Sequence, residues 1–332
     1  MEIRSLGQTG LKVTNLCLGT MTFGNQADKK ISFEILDKAF AAGVNFIDTA
    51  DVYPLGQSYD IAGATEAIIA EWLEGKRDKV VLATKCFGAM GPGLNDRGLS
   101  RKHIMTAVED SLRRLKTDYL DLYQAHQFDA DTPIDETLRA FDDLVAQGKV
   151  RYIGVSNWRA WQVAKANGIA DRKNYARIMS VQPRYNLLFR MIEDDLVPMA
   201  LDEGVGIISY NPLAGGMLTG RYRKSASIPG GTRFSLGNHA GSLYQQRYWQ
   251  EATFDAVERY IAWCQERSYD PVTTAVHWVA QQPGITSAII GASRPDQLDA
   301  SLRAVDVPDL TEQELAWLDG LWFSLPRRRE FR

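Results

Sequence analysis

Gly19-Thr20-Met21-Thr22-Phe23-Gly24 overlaps the end of the first strand-like run of the chain, LCLGT (Leu16 to Thr20), and its reading decides the fold. An open, doubly wound sheet that binds a dinucleotide carries GxGxxG directly after its first strand, where the glycines let the backbone approach a pyrophosphate. That pattern is missing here. Seven further β-rich runs follow: FIDTA (Phe46 to Ala50), VVLATK (Val80 to Lys85), DLYQAH (Asp121 to His126), RYIGVSN (Arg151 to Asn157), IMSVQP (Ile178 to Pro183), GIISYN (Gly206 to Asn211) and SAIIGA (Ser287 to Ala292). Most gaps between them are about 30 residues, the length of one βα unit, and the last is much longer. Eight strands alternating with helical stretches predict parallel pairing and an α/β fold, a (β/α)8 TIM barrel with long loops at its C-terminal mouth. No linker or composition change divides the chain, so one domain over residues 1–332 is expected.

The helical stretches carry their own punctuation. Ser32 to Ala42 has apolar residues at Phe33, Leu36, Ala39 and Phe40 and stops at Gly43, which reads as an N-cap, a 3.6 period and a C-terminal glycine. Ser100 to Leu115 repeats the design, with a stripe of Ile104, Val108, Leu112 and Leu115 and with Arg113, Arg114 and Lys116 where the helix dipole favours cations. Helices are also expected over Ile134 to Ala146, over Ile192 to Leu201 and, opened by the capping-box pair Thr311 and Glu314, through Leu321. Gly215 to Gln250, rich in Gly, Ser, Arg and Tyr, exceeds ordinary loop lengths and is expected to be a cofactor or lid loop, while 323–332 reads as a C-terminal tail.

Composition narrows the function. Of 332 residues 45% are hydrophobic and 24% charged, and 38 Lys and Arg against 41 Asp and Glu leave a net charge of -3. Such a chain lacks the basic field that a nucleic acid or an anionic membrane would attract. Cys17, Cys86 and Cys264 stand far apart without a CxxC or Cys/His pairing, so neither a disulfide framework nor a metal site is expected. The opening MEIRSLGQTG has no apolar leader core, and no apolar run approaches the ~18 residues of a membrane span, so a cytoplasmic protein is expected.

In a barrel of this kind, polar residues at the C-terminal ends of strands converge on one mouth. Asp48 ends the second strand, Tyr53 follows in the adjoining loop, Lys85 ends the third and His126 the fourth. Each has an ordinary structural reading: a turn cap, a rim aromatic, a solvated lysine, a satisfied core histidine. Their recurrence at successive strand ends points instead to a site. The chemistry such a set suits is proton donation from a phenol. Free tyrosine has a pKa of ~10, so a good acid near neutral pH needs its phenolate favoured by roughly 2–3 units, which a nearby ammonium can supply. Lys85 would play that part, Asp48 would keep it charged and oriented, and His126 would hydrogen-bond and polarise a bound carbonyl.

These residues resemble those of the aldo-keto reductases. The resemblance rests on LCLGTMTFG, NFIDTADVY, VVLATK and DLYQAH, and on GVSN (Gly154 to Asn157), VQPRYN (Val181 to Asn186) and SYNPLAGG (Ser209 to Gly216), seven motifs in order over roughly Arg4 to Trp322. It implies an NADP(H)-dependent reduction of an aldehyde or ketone, with Asp48, Tyr53, Lys85 and His126 as the catalytic four. It further implies a dinucleotide extended across the mouth. Ser156, Asn157 and Gln182 suit its carboxamide and Tyr210 offers a flat face for the nicotinamide ring. Asn211, Leu213, Gly215 and the turn around them would meet the pyrophosphate, under Arg221 and Arg233, which would otherwise read as solvated loop charges. Pro295 suits a first helical turn, so Ser293 and Arg294 lie where free N–H groups attract a 2′-phosphate, and Gln297 matches an adenine contact. Ala300 and Ser301 depart from the Glu and Asn common at these positions, which lessens the expected grip on adenine. The rim of the substrate pocket is expected from Met21 to Phe23, the loop Cys86 to Leu99, the long loop and the tail after Trp322, with Phe23, Phe87 and Met90 as apolar walls and Gln127, Asn95 and Arg97 able to meet hydroxyls; the substrate itself is a small carbonyl compound of unspecified shape. One alternative resembles the potassium-channel β subunits, a redox-sensing binding subunit with slow turnover. A metal-dependent or carboxylate-pair hydrolase is disfavoured, because the chain has four histidines and one plausible strand-end carboxylate.

Overall fold

Alternation in the strand runs gives each of them an inner and an outer face, and the computed structural model, which describes residues 1–55, 59–224, 226–236 and 238–327, uses both. The eight runs form the parallel strands β3 (Leu16–Gly19), β4 (Phe46–Asp48), β5 (Val81–Cys86), β6 (Leu120–Ala125), β7 (Val150–Ser156), β8 (Ile178–Gln182), β9 (Gly206–Tyr210) and β10 (Ile285–Ile290). They pair in chain order and close where β10 meets both β9 and β3. The (β/α)8 barrel expected above is therefore observed. Cys17, Phe46, Val81, Ala83, Leu122, Ile208 and Ile289 fill the lumen, while Leu16, Leu18, Ile47, Leu82, Val155 and Ile207 face the helices. Each large apolar side chain fully buried in this way is worth about 1.5–3 kcal/mol.

The surrounding helices are α1 (Lys29–Ala41), α2 (Ala64–Trp72), α3 (Arg101–Leu115), α4 (Ile134–Ala146), α5 (Ala160–Lys173), α6 (Leu196–Glu203), α7 (Asn238–Tyr248), α8 (Glu251–Glu266), α9 (Pro271–Gln281), α10 (Leu298–Leu302) and α11 (Glu312–Phe323). Ser100 caps α3, whose stripe Ile104, Val108, Leu112 and Leu115 is buried. Arg114 does not only serve the dipole of α3: its Nε lies 2.7 Å from the buried Glu66 of α2 and ties the two helices together. Thr311 and Glu314 form the expected capping box.

Several boundaries differ, each for a local reason. Helix α1 starts earlier than Ser32, because Asp28 is the N-cap and accepts the Ile31 N–H at 2.8 Å. The Ser32 hydroxyl instead donates to the Asp28 carbonyl at 2.7 Å, a bond made from inside the helix. The helix expected over Ile192 to Leu201 divides into a 3-10 turn, Met191–Glu193, and α6. Pro198 explains the break: in a helix begun at Ile192 its ring would collide with the carbonyl four residues back, whereas in the first turn of α6 no N–H is needed from it. Gly215 to Gln250 is not one loop. It contains short 3-10 turns and α7, and its aromatics pack on one another, with Tyr222 and Phe234 5.0 Å apart and Phe234 and Trp249 4.9 Å apart. The tail begins later than 323, since α11 runs through Phe323, and 328–332 of the expected tail lie outside the described residues.

One element escaped the sequence reading. An antiparallel hairpin of β1 (Ile3–Ser5) and β2 (Lys12–Thr14) precedes the barrel. Its strands are too short and polar to announce themselves, yet Leu6 and Val13 enter the lumen cluster and close the N-terminal end. Gly7 makes this possible, with φ +55 and a position where a Cβ would stand 2.5 Å from the Gly204 carbonyl oxygen.

Candidate active site

Strand parity carries side chains to the open end. Phe46 faces the lumen, so Asp48 does too; Val81 and Ala83 place Lys85 there, and Leu122 places Gln124. The ends of β4, β5, β6 and β8 thus deliver one buried polar cluster. Lys85 Nζ donates to Asp48 Oδ2 at 2.5 Å and to the Thr49 carbonyl at 2.8 Å. Asp48 Oδ1 accepts from Gln124 Nε2 at 3.0 Å and from Gln182 Nε2 at 2.9 Å. Tyr53 lies against this cluster: the ammonium stands 5.2 Å from its ring centroid, and the His126 ring meets it edge-on at 5.7 Å. All four residues expected to share the chemistry are adjacent. Asp48, Tyr53 and His126 border the cavity, and Lys85 is wholly buried behind them.

Burial sets the protonation states. It pushes the Tyr53 phenol up to about 12, against the opposing pull of the Lys85 ammonium. The expectation that Lys85 lowers this pKa overall is therefore corrected: desolvation outweighs an ammonium already shared with Asp48. Burial, with Lys85 nearby, lowers His126 to about 3. Burial also acts against the Lys85 ammonium, but the Asp48 carboxylate more than offsets it and holds Lys85 above its ordinary value. At neutral pH the site presents a protonated phenol and a neutral imidazole beside a fixed ion pair.

The cavity at this mouth measures about 1180 Å³, and Ser156, Asn157, Gln182, Tyr210, Asn211, Leu213, Gly215, Arg221, Arg233, Ser293, Arg294 and Gln297 all border it. Several of their polar atoms are engaged with one another. Tyr210 Oη donates to Asn157 Oδ1 at 2.8 Å, and Asn157 Nδ2 donates to the His126 carbonyl and to Ser156 Oγ, both at 3.0 Å. Ser156 Oγ donates to the Gln182 carbonyl at 2.9 Å, and Asn211 Oδ1 accepts from the Gly215 N–H at 2.6 Å. The residues form a pre-set rim. Arg233 donates to Tyr244 Oη at 3.1 Å and Arg221 donates to Tyr222 Oη, so neither is a free loop charge.

Beyond the eighth strand the expected helix start is also altered. Pro295–Gln297 is a 3-10 turn leading into the short α10. The Ser293 N–H, expected to be free, donates to Gln297 Oε1 at 2.9 Å, with the Ser293 hydroxyl on the same oxygen at 3.2 Å. Arg294 is 62% exposed and 3.2 Å from Asp296.

The expected substrate walls need correction. Phe23 is fully buried in the core, where its carbonyl accepts from Thr65 Oγ1. Phe87 packs half-buried against the same core, and Met90 belongs to a loop closed on itself by its N–H to the Asp96 carbonyl. None of these three borders the cavity, nor do Asn95 and Arg97; Gln127 does. Met21, within the expected rim, does border it, and Leu55 and Trp158 supply further apolar wall. The reading from sequence also missed Gln124, Arg159, Arg184 and Arg247. Parity along DLYQAH could have found Gln124, two residues before His126. The others come from loops that only the fold brings to the mouth. With them, six arginines and three aspartates among the described residues border the cavity; guanidinium donors suit the phosphates of a dinucleotide.

A family model, the aldo/keto reductase family, matches residues 15–322. An uncharacterized oxidoreductase of Bacillus subtilis (strain 168), YrpG, is 40% identical, covering 97% of this chain and 96% of its own. A probable voltage-gated potassium channel subunit beta of Arabidopsis thaliana is 38% identical over 99% of both chains. Protein tas of Escherichia coli (strain K12) is 35% identical over 97% of both. With the barrel, the mouth geometry and a match over nearly its whole length in agreement, the chain belongs to the aldo/keto reductase family.

Proposed function

We propose that the protein reduces the carbonyl group of a small aldehyde or ketone to an alcohol with NADPH, Tyr53 serving as the general acid and, in the reverse direction, the general base. Family membership supports an oxidoreductase that acts on carbonyls with a nicotinamide cofactor. The observation that carries the finer reading is a phenol that burial keeps protonated, beside a neutral imidazole and a buried Lys85–Asp48 pair, at the edge of a long cavity bordered by arginines. Ser156, Asn157, Gln182 and Tyr210 would hold a reduced nicotinamide, which when bound would supply the hydride for the carbonyl carbon. His126 donates a hydrogen bond to the carbonyl oxygen and fixes its direction. The Tyr53 hydroxyl gives its proton to that oxygen as negative charge builds there, and the Lys85 ammonium stabilises the phenolate left behind. Asp48 keeps Lys85 charged and in place.

The choice of NADPH rests on Ser293, Arg294 and Gln297 at one end of the cavity. The Arg294 guanidinium can meet a 2′-phosphate through charge-assisted hydrogen bonds. Three buried, unpaired cysteines support a reducing compartment, the cytoplasm, and the barrel acts as a single domain. The test is a turnover screen over aldehydes, hydroxylated aldehydes and aromatic ketones with NADPH and NADH, followed by cofactor absorbance. Consumption of NADPH with alcohol formation is expected; no turnover of any carbonyl would reject the reading. The similarity to a plant potassium channel subunit supports a second reading, a redox-sensing binding subunit with slow turnover. Fast reduction of ordinary aldehydes would reject that one.

A further inference from the structure

We propose that Gln124, which has no part in the scheme above, is a positioning residue: it fixes the Gln182 amide so that only its oxygen is offered to the cavity, and it anchors Asp48. Gln124 is fully buried on β6, in register with Lys85 of β5 on one side and Gly154 of β7 on the other. Its Nε2 donates to Asp48 Oδ1 at 3.0 Å. Gln182, from β8, donates its Nε2 to the same oxygen at 2.9 Å and to Gln124 Oε1 at 3.3 Å.

The two ends of an amide have nearly the same shape, and their assignment comes from their partners. A carboxylate only accepts, so both amides turn nitrogen towards Asp48. Gln182 then has both N–H groups engaged, one by Asp48 and one by Gln124. What remains for anything bound in the cavity is its Oε1, an acceptor alone. Such a group selects an N–H donor, and the amide nitrogen of a nicotinamide carboxamide is one. Gly154 is the neighbour of Gln124 across β7: a Cβ there would stand 2.3 Å from Ser180 Oγ and would press more lightly, at 3.2 Å, on Gln124 Cγ.

This inference rests on the nicotinamide reading, and the experiment separates the two. Binding of NADPH and of its 3-acetylpyridine analogue, in which a methyl group replaces the carboxamide nitrogen, is measured by quenching of tryptophan fluorescence. The wild type is expected to prefer NADPH by roughly tenfold, the worth of one hydrogen bond. In Gln124→Met the Gln182 amide keeps one N–H on Asp48 but loses the acceptor of the other, so its plane can rotate and its oxygen is no longer held towards the cavity; NADPH weakens to about the level of the analogue, and the analogue changes by less than about twofold. Equal weakening of both, or no weakening of either, overturns the proposal. A wild type that binds neither dinucleotide rejects the cofactor reading instead. A cofactor-free readout then judges Gln124. In wild-type protein labelled with 15N-glutamine, both side-chain amide protons of Gln182 are expected to exchange slowly with solvent, and a fast-exchanging proton there overturns the inference whether or not the variant folds.

Discussion

Burial acts on Tyr53 and His126 in opposite senses, because one is charged after losing a proton and the other after gaining one. The phenol goes up to about 12 and the imidazole down to about 3, so both are neutral across the working range. Asp48, Tyr53, Lys85 and His126 were legible as polar residues at successive strand ends. The direction of the Tyr53 shift was not, because it depends on how deeply the ring is buried and on how much of the Lys85 charge Asp48 already holds. Tyr53→Phe is expected to lower carbonyl reduction by at least about 100-fold, since it removes the proton donor. NADPH binding should stay close to wild type, because the phenol does not hold the dinucleotide. Cofactor absorbance and fluorescence quenching check the two halves, and retention of a tenth of the activity would dismiss the role. His126 supplies a pH test with a definite sign. Its folded value lies below its unfolded value of 6.5, so the unfolded chain takes up the extra proton first and stability falls as pH drops from 6.5 towards 3. His126→Gln is expected to lose less stability than wild type between pH 7 and pH 5, by on the order of 1 kcal/mol once solvent screening of the partly exposed ring is allowed for. Urea unfolding at the two pH values measures it, and identical losses would remove His126 as the cause.

Helices announce their type more clearly than their ends. The stripe of α3 and the capping box of α11 were read directly, because each is a pattern between near neighbours in sequence. The start of α1 was misplaced, since Asp28 and Ser32 are both good caps and the choice depends on where the chain enters from β3. The expected consequence is that Asp28→Ala destabilises the protein by about 1 kcal/mol, the usual loss of an N-cap. Ser32→Ala should cost less than about 0.5 kcal/mol, because its hydroxyl adds only a bond to a carbonyl that the Ser32 N–H already reaches. Denaturant midpoints of the two variants decide it, and the reverse order would restore Ser32 as the cap. The segment between β9 and α8 looked like a loop because its glycines and serines dominate the composition. It is ordered by contacts among Tyr222, Phe234, Tyr244 and Trp249, residues up to 27 positions apart, which a short sequence window does not join.

At the scale of the molecule, a chain with a net charge of -3 gathers, among the described residues, six arginines against three aspartates around one cavity. Arg294 is the member assigned to the 2′-phosphate, and its exposure and its contact with Asp296 reduce what it can contribute. Arg294→Ala is therefore expected to weaken NADPH by roughly three- to tenfold and to leave NADH nearly unchanged, since NADH has only a hydroxyl at that position. Dissociation constants for both cofactors at fixed salt test this, and equal weakening would move Arg294 to a general role. By itself the amino-acid sequence determined the eight barrel strands and their parallel order, the helices α3, α4 and α11, and which polar residues stand at the strand ends; it left the β1–β2 hairpin and α7 unread. Alternation and capping act over a few residues, and strand parity then fixes the face each side chain takes. Tertiary structure decided what required closure: that Gln124, Gln182 and Lys85 meet on one carboxylate, that Phe23, Phe87 and Met90 stay away from the cavity while Leu55 and Trp158 border it, and that loop arginines distant in sequence share one mouth. Those outcomes depend on distances across the lumen and on loop paths, which are set only when β10 closes against β3.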